Sequence, residues 1–134
     1  MITPTIKWFF LVMHVVGVCV WVGGQITLAT LVKTIRQNSE GLLPLVARQF
    51  ARTSWTAMGV VIVSGIALVL QVSPTEQGTA YSITLAGKLI LVFLAATAAI
   101  IHSTSKERLF IALGGAVGLL ASLGALALGV LLST

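Results

Sequence analysis

Four long apolar runs divide almost the whole chain, and they constrain its fold more than any other feature of the sequence. They cover about residues 6–31, 53–71, 83–101 and 109–132. Because an α-helix rises about 1.5 Å per residue, each run can cross a hydrocarbon layer of about 30 Å. Hydrophobic residues make up 57% of the chain and charged residues 8%, which leaves too little polar surface for a water-exposed domain. The sequence therefore predicts an all-α integral membrane protein, a bundle of four transmembrane helices.

The links between these runs are too short to hold a second domain, so we expect a single membrane domain over residues 1–134. In the first link, residues 42–52 mix apolar and basic side chains and predict an amphipathic segment that lies at the membrane surface before the second span. In the second link, residues 73–78 read Ser-Pro-Thr-Glu-Gln-Gly and predict a turn.

Positive charges indicate the orientation of the spans. Lysine and arginine cluster in or beside the first and third links, at Lys33, Arg36, Arg48, Arg52, Lys106 and Arg108. The second link contains Glu76 and no lysine or arginine. The positive-inside rule then predicts that links one and three are cytoplasmic and that both termini lie outside. The net charge of +5 is explained by this topology, so we expect no nucleic-acid partner.

The candidate functional residues are the few polar ones inside the predicted spans, because an ionisable group at that depth is costly. At 1.5 Å per residue, His14 lies about 13 Å from the outer end of the first span and Lys88 about 10 Å from the outer end of the third. His102 lies about 21 Å farther along the third span than Lys88. We therefore expect His14 and Lys88 at one level. Both histidines are candidate metal ligands, but not of one ion within one chain.

Two neighbours extend the site predicted at His14. Trp21 and Gln25 follow His14 at offsets of seven and eleven, which places all three on one face of a regular helix. We expect this face to turn into the bundle, so that Trp21 and Gln25 help to bind a cofactor. Met13 and Cys19 have side chains suited to copper, but their offsets from His14 place them on other faces.

Each candidate also has a structural alternative. The imidazole of His14 can be neutral and bonded to a backbone carbonyl or to Thr84. Lys88 can extend its ammonium group to the outer surface, and His102 can be an interfacial residue. Small residues on the fourth span predict close helix packing; these are Gly114, Gly118, Ala121, Ser122, Ala125 and Gly129.

One sequence pattern extends over the first three spans. It consists of His14, Gly17, Trp21, Gly23 and Gly24, then Arg-Gln-Phe-Ala-Arg at 48–52, Ser64 with Gly65, and Tyr81 followed by Leu-Ala-Gly-Lys-Leu at 85–89. This pattern resembles the membrane domain of the CopD family. The members of that family are bacterial inner-membrane proteins linked with copper uptake or resistance. The resemblance covers the four-helix core of that family. More distantly, the chain is similar to HemJ, a four-helix protoporphyrinogen oxidase that binds haem b.

The resemblance implies that His14 and Lys88 match the first-span histidine and the third-span lysine of these families. It implies a copper ion or haem b as the bound group, in a multi-pass protein of the bacterial inner membrane. HemJ has an arginine after its tryptophan motif, where this chain continues with Gln25, so we expect a protein that is not an enzyme on its own. A third possibility is an accessory subunit of a larger respiratory or other redox membrane complex, with no cofactor. The expected partners are the lipid bilayer and further copies of the chain or other membrane subunits.

Overall fold

The computed structural model describes residues 5–134, and this range contains helices and short links but no strand. Four helical segments are long and apolar enough to cross a membrane, namely Ile6–Asn38, Glu40–Val72, Thr79–Thr104 and Arg108–Ser133. The predicted all-α class and the number of spanning-length helices are thereby confirmed. The chain forms two compact units, the first ending at Ser73 and the second covering Pro74–Thr134.

The first arm of the first unit is a long helix with an irregular turn inside it. It consists of α1 (Ile6–Val18), a π-helical turn (Cys19–Gly23) and α2 (Gly24–Asn38). Thr5 precedes α1 in an extended conformation, and its Oγ1 accepts a hydrogen bond from the backbone N–H of Trp8 at 3.2 Å. This bond satisfies one of the donors that every helix N-terminus leaves unpaired. The helix continues past the apolar run that ends near residue 31, because helix formation does not require apolar side chains.

The π-helical turn changes the faces of the helix on either side of it. A π turn fits one additional residue into the helix. One residue of an α-helix corresponds to about 100° of rotation, so α2 is rotated by about that angle relative to an uninterrupted α1. The spacing that placed Trp21 and Gln25 on the face of His14 applies to a regular helix. Beyond Gly23, the sequence offset from His14 therefore no longer predicts which residues lie on the same face as His14.

The second arm of the first unit is α3 (Leu43–Val72), which follows a 3₁₀ turn at Glu40–Leu42. Pro44 lies in the first turn of α3, where its missing N–H removes no helical hydrogen bond. Residues 42–52, predicted as an amphipathic segment, form the last residue of the 3₁₀ turn and the first turns of α3, continuous with the apolar part of that helix. Their position at a membrane surface remains a prediction.

Small residues let the two arms of this hairpin approach closely. A Cβ atom at Gly17 would lie 2.8 Å from Val61 Cγ2 and 3.1 Å from the carbonyl oxygen of Ala57. Nearer the link, a Cβ atom at Gly24 would lie 2.9 Å from the ring of Phe50. Each glycine therefore marks a point where α3 occupies the space of a missing side chain, as in other close helix pairs of membrane proteins.

The turn predicted at 73–78 is confirmed. Ser73 ends α3 in a left-handed conformation with φ 52°, a 3₁₀ turn follows at Pro74–Glu76, and Gly78 precedes the next helix with φ 93°. Glycine is suited to that last position because it lacks the Cβ atom that makes positive φ unfavourable.

The second unit is a hairpin of α4 (Thr79–Thr104) and α5 (Arg108–Ser133). The stripe of small residues predicted on the fourth span supplies its packing face, because Gly114, Gly118, Ala121, Ser122 and Ala125 are the buried residues of α5. A Cβ atom at Gly114 would lie 2.8 Å from the carbonyl oxygen of Ala98 and 2.9 Å from the backbone nitrogen of His102. The backbones of α4 and α5 therefore meet almost directly at this glycine.

Large apolar side chains are exposed on both units. Leu70 is 76% exposed and Phe93 is 75% exposed, and many other leucine, isoleucine and valine side chains are similar. A surface of this kind is compatible with hydrocarbon rather than water around the helices. The structure is thus compatible with a multi-pass membrane protein.

Candidate functional site

His14 projects from α1 and is held by α3. Its Nδ1 atom lies 3.0 Å from the carbonyl oxygen of Val61 and 3.1 Å from Ser64 Oγ. Ser64 is 3% exposed, so these contacts lie inside the first unit. The two helices bring together residues that are about fifty positions apart in the sequence, and they fix the imidazole on one side.

The hydrogen bonds at Nδ1 determine the tautomer of His14. The carbonyl oxygen of Val61 can only accept a hydrogen bond, so Nδ1 must carry the proton that is donated. The hydroxyl of Ser64 donates to the carbonyl oxygen of Val60, and its Oγ atom is therefore also an acceptor for Nδ1–H. In the neutral imidazole the lone pair then lies on Nε2.

A glycine makes room for the ring. A Cβ atom at Gly65 would lie 3.1 Å from Cε1 and 3.5 Å from Nδ1 of His14. Any larger residue at position 65 would press on the imidazole and strain its hydrogen bonds to Val61 and Ser64. The site is consequently made of one imidazole, one serine, one backbone carbonyl and one glycine.

Trp21 and Gln25 lie farther along the same arm. Trp21 is 6% exposed and packs edge-on against Trp55, with ring centroids 5.7 Å apart. The Nε2 atom of Gln25 is buried and has no hydrogen-bond partner within residues 5–134. An unpaired buried amide is costly, so Gln25 is suited to bind a polar group of a partner or ligand.

Lys88 lies on α4 in the second unit and is half-buried. A Cβ atom at Gly129 of α5 would lie 3.0 Å from Nζ and 3.4 Å from Cε of Lys88. The lysine side chain therefore lies across the backbone of α5 at a glycine. Its ammonium group makes no hydrogen bond or ion pair within the described part of the chain.

His102 lies near the end of α4, where it contacts α5. Its Nδ1 atom is 2.6 Å from the carbonyl oxygen of Ile111, so this nitrogen also carries a donated proton. The ring lies beside Gly115, where a Cβ atom would be 3.2 Å from Nδ1. His102 is exposed and joins the two helices next to their link, which agrees with the interfacial alternative.

Of the residues predicted from sequence, the structure brings His14 together with Ser64 and Gly65. The last two belonged to the sequence pattern, but the sequence did not predict that they contact the imidazole. Thr84, the alternative partner predicted from sequence, donates to the carbonyl oxygen of Ala80 in its own helix, at 2.9 Å. The backbone acceptor at Val61 has no signal in the sequence, because every residue carries the same carbonyl group.

The donor set near His14 can be compared with the two groups that the resemblance implies. Among residues 5–134, no three histidine, cysteine, aspartate or glutamate side chains form a group that could hold a metal ion. A copper ion is usually held by several such donors, and the described residues place no such group beside His14. Haem iron needs one imidazole from a given side. A ligating histidine typically donates its other N–H to a carbonyl, as His14 does, so His14 is suited to be a single imidazole ligand of haem iron.

Comparison of the chain with protein-family models, with curated proteins and with solved structures finds no match.

Proposed function

We propose that this chain is a multi-pass protein of the bacterial inner membrane, of the CopD kind, with a metal centre ligated by Nε2 of His14. The observation that supports this proposal is the pair of hydrogen bonds at Nδ1. They orient the ring with Nδ1 as a hydrogen-bond donor, as is typical of a metal-ligating histidine.

Of a copper ion and haem b, the donor set favours haem b. The His14 imidazole would ligate the iron, and the Val61 carbonyl with Ser64 would raise its basicity by accepting hydrogen bonds from Nδ1–H. Bound haem b would supply one-electron redox chemistry. Lys88 is the proposed anion-binding residue, because its ammonium group would attract a carboxylate. Copper handling requires donors from further copies of the chain or from other subunits.

A second candidate is an accessory subunit that packs against a larger membrane complex and binds no cofactor. Two observations favour it. Large apolar side chains are exposed along all four long helices, and the buried amide of Gln25 has no acceptor within the described residues. A partner helix would cover the exposed apolar side chains, and a backbone or side-chain acceptor on that helix would accept a hydrogen bond from the Gln25 amide.

An absorption spectrum of the purified protein from about 350 to 700 nm tests the proposal. We expect a Soret band that is lost in His14→Ala. The matched control is His102→Ala, since His102 also donates from Nδ1 to a carbonyl and is the second candidate metal ligand of the sequence, whereas the proposed ligand is His14. The control variant should keep the band. Circular dichroism verifies that both variants remain helical.

The other outcomes identify the alternatives. A Soret band that persists in His14→Ala contradicts the proposed ligand. Copper in the purified protein without a Soret band selects copper handling. Absence of both metals, together with co-purifying membrane proteins, selects the accessory subunit.

A further inference from the structure

An open groove runs along one side of the first unit, between α1 with its π-helical turn and α3. Its volume is about 450 Å³. Two residues without bulky side chains, Gly17 and Ala57, lie at its floor, and both are buried. The walls are apolar and are formed mainly by Val16, Val20 and Val60. The close approach of the two helices thus leaves a trough rather than a flat surface.

One end of the groove is polar. Arg52 lines it there, together with Thr53 and Thr56. Both threonine hydroxyls donate to carbonyls of their own helix, Thr53 to Gln49 at 3.2 Å and Thr56 to Arg52 at 2.8 Å. The guanidinium of Arg52 is exposed and makes no ion pair or hydrogen bond within residues 5–134. This end therefore offers a cation with five donors to a ligand.

The length of the groove matches one leaflet of a bilayer. Along α3 the lining residues run from Gln49 to Val60, which is about 16 Å at 1.5 Å per residue. Half of a hydrocarbon core of about 30 Å is about 15 Å. The arginine also precedes the apolar part of α3, so in a membrane-spanning helix the cation would lie where lipid headgroups end and acyl chains begin.

We propose that this groove binds an anionic glycerophospholipid of the surrounding bilayer, with its phosphate on Arg52 and one acyl chain in the trough. Charge complementarity supports this occupant, because a guanidinium binds phosphate through two parallel hydrogen bonds. The proposal depends on the membrane placement proposed above and not on the metal centre at His14. Retention of one such lipid in each chain is the expected consequence.

Native mass spectrometry of the full chain in detergent tests the proposal, with dioleoyl-phosphatidylglycerol and dioleoyl-phosphatidylcholine as probes. We expect one phosphatidylglycerol bound in preference to phosphatidylcholine. Arg52→Gln should weaken phosphatidylglycerol binding about tenfold, because a charge-assisted contact to phosphate is lost. Arg36→Gln is the matched control, since Arg36 is an exposed arginine of the same unit that does not line the groove. It should change binding by less than about twofold.

A second variant tests the trough itself. Val16→Phe keeps Arg52 and adds bulk at a wall residue that is 53% exposed, so the helices can pack unchanged. We expect it to weaken binding of phosphatidylglycerol as strongly as Arg52→Gln. Arg52→Lys should restore part of the affinity, because the charge remains without the planar fork.

Three results would overturn the proposal. Equal losses in Arg52→Gln and Arg36→Gln would mean diffuse attraction between charges. Equal binding of the two lipids would mean that the net negative charge of the headgroup is not recognised, and a co-purified apolar molecule such as a quinone in the groove would mean a different occupant. Flotation of the protein with phosphatidylglycerol vesicles separates the two proposals. A protein that does not float contradicts membrane placement, whereas a protein that floats without the lipid preference contradicts only the groove.

Discussion

His14 is held by hydrogen bonds to α3 that involve a single ring nitrogen. Because Val61 supplies a backbone carbonyl and Ser64 a hydroxyl, a side-chain substitution can remove only one of the two acceptors. The carbonyl then continues to fix the tautomer. This division of roles makes the serine the residue that can be tested without losing the orientation of the imidazole.

We expect Ser64→Ala to lower the free energy of unfolding by about 0.5–1.5 kcal/mol, because a hydrogen bond between the two helices is lost and the alanine fits the site. Denaturant unfolding in detergent micelles measures the change. Thr27→Val is a suitable control, since Thr27 donates only to Gly23 of its own helix. Equal stability of the two variants would show that Ser64 does not stabilise the hairpin through His14.

At this scale the sequence identified the ionisable groups but not their surroundings. An imidazole inside an apolar run is visible because it is costly there. Its acceptor at Val61 is not visible, and the unpaired amide of Gln25 depends on the packing around it. Gly65 was noticed as part of a pattern, yet its function of making room for the ring becomes clear only from the approach of α3.

Several glycines mark close contacts between the helices of each hairpin, but these glycines are not equivalent. At Gly114 a Cβ atom would meet backbone atoms of Ala98 and His102, which cannot move separately from α4. At Gly129 it would meet the end of the Lys88 side chain, which can change rotamer. The atoms that are met, rather than the distance alone, determine the cost of an added methyl group.

We therefore expect Gly114→Ala to destabilise the second hairpin by about 1–3 kcal/mol, as overpacking does in other proteins. Gly129→Ala, in the same helix, should change the free energy of unfolding by less than about 0.5 kcal/mol. Unfolding of both variants in the same detergent makes the comparison. A Gly129→Ala variant as unstable as Gly114→Ala would mean that the lysine cannot move aside.

The four spanning-length helices were predictable because apolar runs of this length have few other stable structures. The turn at 73–78 was predictable from its proline and glycine. The π-helical turn at Cys19–Gly23 was not, because its residues are also compatible with a regular α-helix and the choice depends on contacts with α3. The sequence likewise did not predict that residues 42–52 are continuous with the second span. The apolar pattern changes after these residues, but the helix continues without a break.

Over the whole molecule, the distribution of charge predicts the orientation in the membrane. The links at 39 and at 105–107 lie next to lysine and arginine residues, whereas the turn at 73–78 lies next to none. In each hairpin the backbone N–H and C=O groups are hydrogen-bonded within the helices. Either unit therefore meets the main requirement for insertion into the hydrocarbon layer. The single membrane domain over residues 1–134 remains a prediction.

Cysteine labelling tests the orientation in a Cys19→Ser background. We expect Thr75→Cys to react with a membrane-impermeant maleimide in spheroplasts, because the second link is predicted outside. Ser39→Cys and Ser105→Cys should react only after the membrane is broken, since both positions adjoin positive charges. The opposite labelling pattern would invert the proposed topology.

The π-helical turn also has a consequence for evolution and for engineering. A homologous chain with a regular first helix should align to this one with a single-residue gap somewhere in Cys19–Gly23. A one-residue deletion within this segment can be absorbed by conversion to ordinary helix. The same deletion in α1, between Gly17 and the imidazole, would bring one of them out of register with α3.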